Sequence, residues 1–113
     1  MIKQYDIFIV SLDPTMGSEI KKTRPCVVIS PDEMNGPLRT VQVAPMTSNV
    51  RAYPWRVPIT FQGKTGKIAL DQIRTVDKRR LVKRVGRAGR LVVEKIKQVV
   101  REMLVETSKR GRS

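Results

Sequence analysis

The apolar residues of this chain change period once, and that change limits the fold more than any other feature. As far as Ile73 they fall in short β-branched or alternating runs: Ile7–Leu12 (IFIVSL), Cys26–Ser30 (CVVIS), Thr40–Met46 (TVQVAPM), Arg56–Phe61 (RVPITF) and Lys67–Ile73 (KIALDQI). Such runs predict strands. In the segment LVVEKIKQVVREMLVE, residues Val92, Ile96, Val99, Val100, Met103 and Leu104 recur at three- and four-residue steps. That spacing predicts an amphipathic helix with Lys and Arg on its outer face. Turn formers separate the strands: DPTMGSEIKKT, PDEMNGP, TSNVRAYP and Gln62-Gly63-Lys64, with Gly86 to Gly89 (GRAG) as the turn before the helix. Strands first and one helix last imply a mainly β fold with α. We expect one domain at 113 residues. It should be a small SH3-like β-barrel over about 5–85, a helix over about 91–106 packed against it, and a basic tail at 107–113.

Composition removes several kinds of chemistry. The chain has no histidine, which takes away the commonest general acid–base group and the commonest metal ligand. Ser–His and Cys–His nucleophilic arrangements are excluded with it. No GxxxxGK[ST] or GxGxxG loop is present, which argues against nucleotide hydrolysis and dinucleotide binding. We therefore expect no metal and no cofactor. The single cysteine, Cys26, lies inside an apolar run and reads as a small core residue. One cysteine makes no intramolecular disulfide, and no basic-then-hydrophobic leader or bilayer-length apolar run is visible, so the expectation is a cytoplasmic protein with no membrane contact.

Charge points to a partner. Twenty-three Lys and Arg face 10 Asp and Glu, a net charge of +13. The excess is uneven: residues 1–35 carry 4 basic and 5 acidic side chains, and residues 76–113 carry 13 and 4. Such a chain should attract polyanions, either nucleic acid or an acidic protein segment. The terminal KRGRS reads as a solvated tail.

One short stretch concentrates these themes. In KKTRPCVVIS, Pro25 fixes its own φ and pushes Arg24 into an extended conformation, so a long cation is held stiffly at the mouth of a core strand. On pattern alone Arg24 is either aimed at a ligand or paired with Glu19 or Asp32.

Three separated stretches then converge. LDPTMGSEIKKTRPCVVISPDEMN, VAPMTS and LDQIRTVDKRRL, in this order, resemble the MazF/PemK toxin family over nearly the whole chain. The resemblance implies a small homodimeric barrel with a C-terminal helix that cleaves single-stranded RNA without a metal. It also implies an acidic, MazE-like cognate antitoxin as partner, with DNA binding only through that antitoxin. Matched motif by motif, Arg24 and Thr47 become the catalytic residues. Ser18, Glu19 and Lys21 of the first loop, with Asp71, Gln72 and Arg74 of the DQIRT stretch, become candidates for contacting RNA. The chain departs from the family where Gln4-Tyr5 precede Asp6 and where Ile20-Lys21 follow Glu19. Ala69 stands where some plasmid members have an arginine beside the DQ motif, which favours the Arg/Thr version of the site.

The implied chemistry suits a chain without histidine. The RNA's own 2′-hydroxyl attacks the adjacent phosphate, leaving a 2′,3′-cyclic phosphate and a 5′-hydroxyl, so orientation supplies much of the rate. A guanidinium offers a donor fork matched to the phosphoryl oxygens. The base is left open among Glu19, Asp71 and a perturbed Arg24. Thr47 by itself is also an ordinary strand-end residue, Asp71 a plausible structural acceptor, and Tyr53 and Trp55 suit either base stacking or an interface. Two other classes remain, a CcdB-like gyrase-binding toxin and a non-catalytic RNA-binding module. The former lacks the arginine–threonine pairing seen here.

Overall fold

The computed structural model describes residues 1–49 and 51–105; the expected basic tail lies outside them. Its strands are β1 (Asp6–Ser11), β2 (Thr23–Val28), β3 (Thr40–Thr47), β4 (Arg56–Phe61), β5 (Lys64–Ala69), β6 (Arg74–Asp77) and β7 (Leu81–Arg87). A one-turn helix α1 (Asp32–Asn35) follows β2, and the long helix α2 (Arg90–Leu104) ends the described chain. All pairings are antiparallel, in the order β4-β5-β3-β2-β1-β7, with β6 paired to β3. The sheet curls into a half-barrel, so the mainly β barrel-like fold with a C-terminal helix holds.

Alternation sends side chains to two cores. On one face Ile7, Val27, Ala44, Met46, Ile68 and Leu70 pack with Ile96 and Val99 of α2. On the other, Val10, Cys26, Val28, Val41, Val43 and Val76 pack with Leu12 and, more loosely, Ile20 of the first loop. The two-residue period of a strand produces this split: Cys26 and Val28 point one way and Val27 the other. Helix α2 lays Ile96 and Val99 into the first core while its Lys and Arg face outward, as its period requires.

Several boundaries differ from the sequence expectation. Strand β2 begins at Thr23 rather than Cys26, so Arg24-Pro25 lies within the strand. The expected strand Lys67–Ile73 is instead the end of β5, a 3₁₀ turn at Leu70–Gln72 and the approach to β6. Ala69, with φ −89° and ψ 88°, leaves the extended region and turns the chain out of β5. The turn after β4 is Gln62-Gly63 alone, both with positive φ (52° and 77°), which suits a two-residue hairpin and places Lys64 already in β5. Gly86 and Arg87 belong to β7, leaving Ala88-Gly89 as the link to α2. The sequence reading missed strands β6 and β7, because charged residues (Arg74 and Asp77 in the first, Lys83, Arg84 and Arg87 in the second) leave no apolar run in either.

Cys26 is fully buried, and burial pushes its thiol from 9.0 up to about 12 against the pull of the Arg74 and Arg24 charges. Between those two values the native state holds a proton that the unfolded chain has released. Raising the pH through that window therefore lowers stability, and below it the thiol contributes no slope. We expect Cys26 to add a downward slope of up to about 1.4 kcal/mol per pH unit. Urea unfolding from about pH 8 to pH 11 should show that slope in the native sequence and lose it in Cys26→Ala. Identical slopes in the two proteins would mean that the thiol is not protected by folding.

Candidate active site

The site begins with a seam that does not close. Strands β2 and β3 pair at Cys26↔Pro45, Val27↔Ala44 and Val28↔Val43. Pro25, the next residue of β2 toward its start, faces β3 and has no N–H to give, so the ladder stops there. Past the seam β3 takes β5 as partner, through Met46↔Ile68 and Thr47↔Lys67. Continuing the β2–β3 register by two residues sets Arg24 opposite Thr47. A cavity of about 300 Å³ opens between them. Its apolar lining is Pro25, Met46, Ile59 and Phe61, and its polar rim is Arg24, Thr47, Ser48, Gln62, Lys64 and Thr65.

The Arg24 guanidinium is held by backbone and not by acid. Its Nε donates to the Lys21 carbonyl and its Nη1 to the Met46 carbonyl, both at 3.0 Å. The two carboxylates considered from sequence are engaged elsewhere: Glu19 accepts from the Met16 amide and Asp32 from the Gln4 amide. Among the described residues no ion pair involves Arg24. A fork fixed by neutral acceptors keeps its positive charge and its remaining N–H donors for a ligand.

Thr47 is fixed in a complementary way. Its Oγ1 accepts from the Asn49 amide at 3.1 Å, so the hydroxyl proton is left to donate elsewhere. Its carbonyl lies against β5, where a Cβ added at Gly66 would come within 2.7 Å of it. Gly66 is therefore a close-approach residue that lets β5 seat the strand end carrying Thr47.

The other candidates separate into two groups. Ser18, Glu19 and Lys21 are exposed on the loop between β1 and β2. That loop is not loose. Leu12 N bonds Lys22 O, Lys22 N bonds Asp13 Oδ1, and the Arg80 guanidinium bonds the Ser11 and Asp13 carbonyls. Gln72 and Arg74 belong to the same anchorage: Gln72 Oε1 accepts from Ile20 N, and Arg74 Nη2 donates to Ile20 O and to Gln72 Oε1. The structure thus ties these two to the loop's backbone, behind the residues that they support.

Asp71 is neither in a strand nor at the Arg24 cavity. It sits in the 3₁₀ turn and takes both arms of the Arg56 fork, Nε to Oδ1 and Nη2 to Oδ2, at 2.9 Å each. The hydrogen bonds from Arg56 hold its carboxyl below the usual carboxylate range and hold the guanidinium above its own. Arg56 was missed in the sequence, where it read only as the first residue of a strand; the β4–β5 register, Arg56↔Ala69, brings it beside Asp71. Ser48, Lys64 and Thr65 were missed too, since nothing in a run of polar loop residues says which of them face a cavity. No three Asp, Glu, Cys or His side chains converge among the described residues. No helix there is long and apolar enough to cross a membrane.

Comparison with known proteins places the chain in a family. The chain is 34% identical over 100 residues to the endoribonuclease MazF9 of Mycobacterium tuberculosis, covering 79% of this chain and 84% of the relative. Its fold superposes on the crystal structure of MazF from Deinococcus radiodurans with a TM-score of 0.81 and 25% identity, over 91% of this chain and 96% of that one. It also shares its fold with a MazE-MazF crystal structure from Deinococcus radiodurans, at a TM-score of 0.75 and 21% identity, over 94% and 97% of the two chains. The family of PemK-like, MazF-like toxins of type II toxin-antitoxin systems matches residues 3–104. With a match running through both strands of the open seam, the connecting loops and the closing helix, this chain belongs to the PemK-like, MazF-like toxin family.

Proposed function

We propose that the chain is the toxin of a toxin–antitoxin pair and an endoribonuclease that cuts single-stranded RNA at the Arg24–Thr47 cavity. The observation that carries this reading is the Arg24 fork, fixed by two carbonyls, unneutralised, and facing a threonine hydroxyl across an open seam. The scissile phosphate sits between the two residues. Arg24 stabilises the charge that develops on the phosphoryl oxygens as the 2′-hydroxyl attacks, and Thr47 donates its hydroxyl proton to the same oxygens. The new bond joins the 2′-oxygen to phosphorus and the bond to the 5′-oxygen breaks. That oxygen takes a proton and leaves as a 5′-hydroxyl, with a 2′,3′-cyclic phosphate on the other fragment. Asp71 is a poor base because Arg56 already engages both of its oxygens. Of the carboxylates considered, Glu19 on the loop rim is the one that remains for proton removal.

The surrounding charge serves the same task. Ser18 and Lys21 line the path of the strand on the loop that Gln72 and Arg74 hold in place. The net charge of +13 attracts the RNA backbone and, in competition with it, an acidic antitoxin segment. The protein works in the cytoplasm as a homodimer, whose second copy completes the groove.

Cleavage of a mixed-sequence single-stranded RNA in excess EDTA should persist and leave 5′-hydroxyl ends that a kinase phosphorylates directly; 5′-phosphate ends would indicate activated water instead. Arg24→Ala should keep its fold and lose about 10²- to 10³-fold in kcat, with a smaller loss for Thr47→Ala. A folded Arg24→Ala protein that cuts normally removes the central assignment. Gly66→Ala should lower kcat/KM about 10- to 100-fold through displacement of Thr47 while far-UV circular dichroism stays unchanged. Light scattering should report a dimer at micromolar concentration. An acidic antitoxin segment should expel labelled RNA from the Arg24→Ala protein; a stable ternary complex would contradict shared occupancy of the groove.

A further inference from the structure

Away from the Arg24 cavity, five side chains form a chain of contacts that the cleavage chemistry does not use. Asp71 grips the Arg56 fork with two bonds of 2.9 Å, and the Arg56 side chain is only 13% exposed. The Arg56 guanidinium carbon lies 5.3 Å from the centroid of the Tyr53 ring. Tyr53 in turn stacks on Trp55, with centroids 5.2 Å apart and planes 8° from parallel. Arg51, an exposed cation, bonds the Tyr53 hydroxyl at 3.2 Å. The backbone joins in, since Leu70 N bonds the Trp55 carbonyl. Trp55 is the outer member of this stack, 39% exposed. The large Trp55 ring is thus held parallel to a second ring, and that second ring is backed by the guanidinium of an ion pair.

We propose that Tyr53 and Trp55 form a stacking platform for an unpaired base of the RNA, and that Asp71 is a positioning residue that holds the platform through Arg56. This rests on the endoribonuclease reading and extends it to a second part of the binding site. Every base presents a π-face, so a preset aromatic surface beside a cation binds single-stranded nucleic acid with little demand on sequence. Tyr53 follows Thr47 by six residues, at most about 20 Å of extended chain, which lies inside a site several nucleotides long. The role expected for Asp71 changes accordingly, from touching RNA to aiming the residues that do.

Trp55 is the only tryptophan in the chain, so its fluorescence reports on this one surface. Titrating the Arg24→Ala protein with a short single-stranded oligoribonucleotide should quench it to saturation, whereas inorganic polyphosphate, which offers charge without bases, should not. In the otherwise native enzyme, Trp55→Ala should raise KM about 5- to 150-fold with kcat nearly unchanged, and Trp55→Phe should restore most of the loss. Asp71→Asn should raise KM in the native background but add nothing to Trp55→Ala, a coupling that general loosening of the fold does not produce. Equal quenching by polyphosphate, an unchanged KM in Trp55→Ala, or emission that responds to protein dilution and not to RNA would overturn the platform. Should Trp55→Ala fail to fold, the quenching comparison on the native ring still decides. Failure of the wild-type protein to cut RNA tests the endoribonuclease reading separately, because quenching does not require cleavage.

Discussion

One proline at one seam, Pro25, governs this molecule. Strand β3 is the hub of the sheet, pairing with β2 and β6 along its first part and with β5 at its end. Had β2 stayed paired with β3 to its beginning, Arg24 and Thr47 would lie in a continuous ladder with no space between them. Pro25 withholds the N–H group that would extend it. The sheet parts, β3 passes to β5, and the opening exposes an arginine and a threonine drawn from strands that are otherwise core. The site is thus a local failure of hydrogen bonding inside a well-ordered sheet, which keeps its members rigid while leaving them accessible.

Arginine is used in three different ways, and acceptor type separates them. Arg24 is held by neutral carbonyls, with no carboxylate at its fork. Arg56 is satisfied by a carboxylate at both arms and serves as a fixed structural piece. Arg84 and Arg87 converge on the buried Asp6 carboxylate, at 3.2 and 3.3 Å, and fasten β7 to β1. A guanidinium commits to one such role according to what meets its fork. Net charge alone does not distinguish a binding surface from an anchor.

The first loop shows the same economy. Its tip carries Ser18 and Glu19 in solvent, while its base is tied by Asp13, Arg80, Gln72 and Arg74. Polar side chains at its base satisfy backbone groups that a long loop would otherwise leave to water. That anchorage reduces the ordering cost of the RNA binding proposed for this loop.

The sequence by itself determined the periods, and with them the order of strands and the closing helix, since burial on one face enforces alternation locally. It also determined that histidine chemistry was absent, that charge was heavily positive, and that Arg24 and Thr47 stood in motifs of a recognisable family. Tertiary structure alone decided which cations are free. Whether Arg24 met a carboxylate depended on where Glu19 and Asp32 were engaged, and no local pattern encodes that. Asp71 looked like a groove residue until the β4–β5 register set Arg56 beside it. Strands β6 and β7 were hidden because half of their residues are charged, and their partners β3 and β1 lie some thirty and seventy positions earlier in the chain. Pairing across such separations is a property of the folded sheet, where two distant segments satisfy each other's backbone.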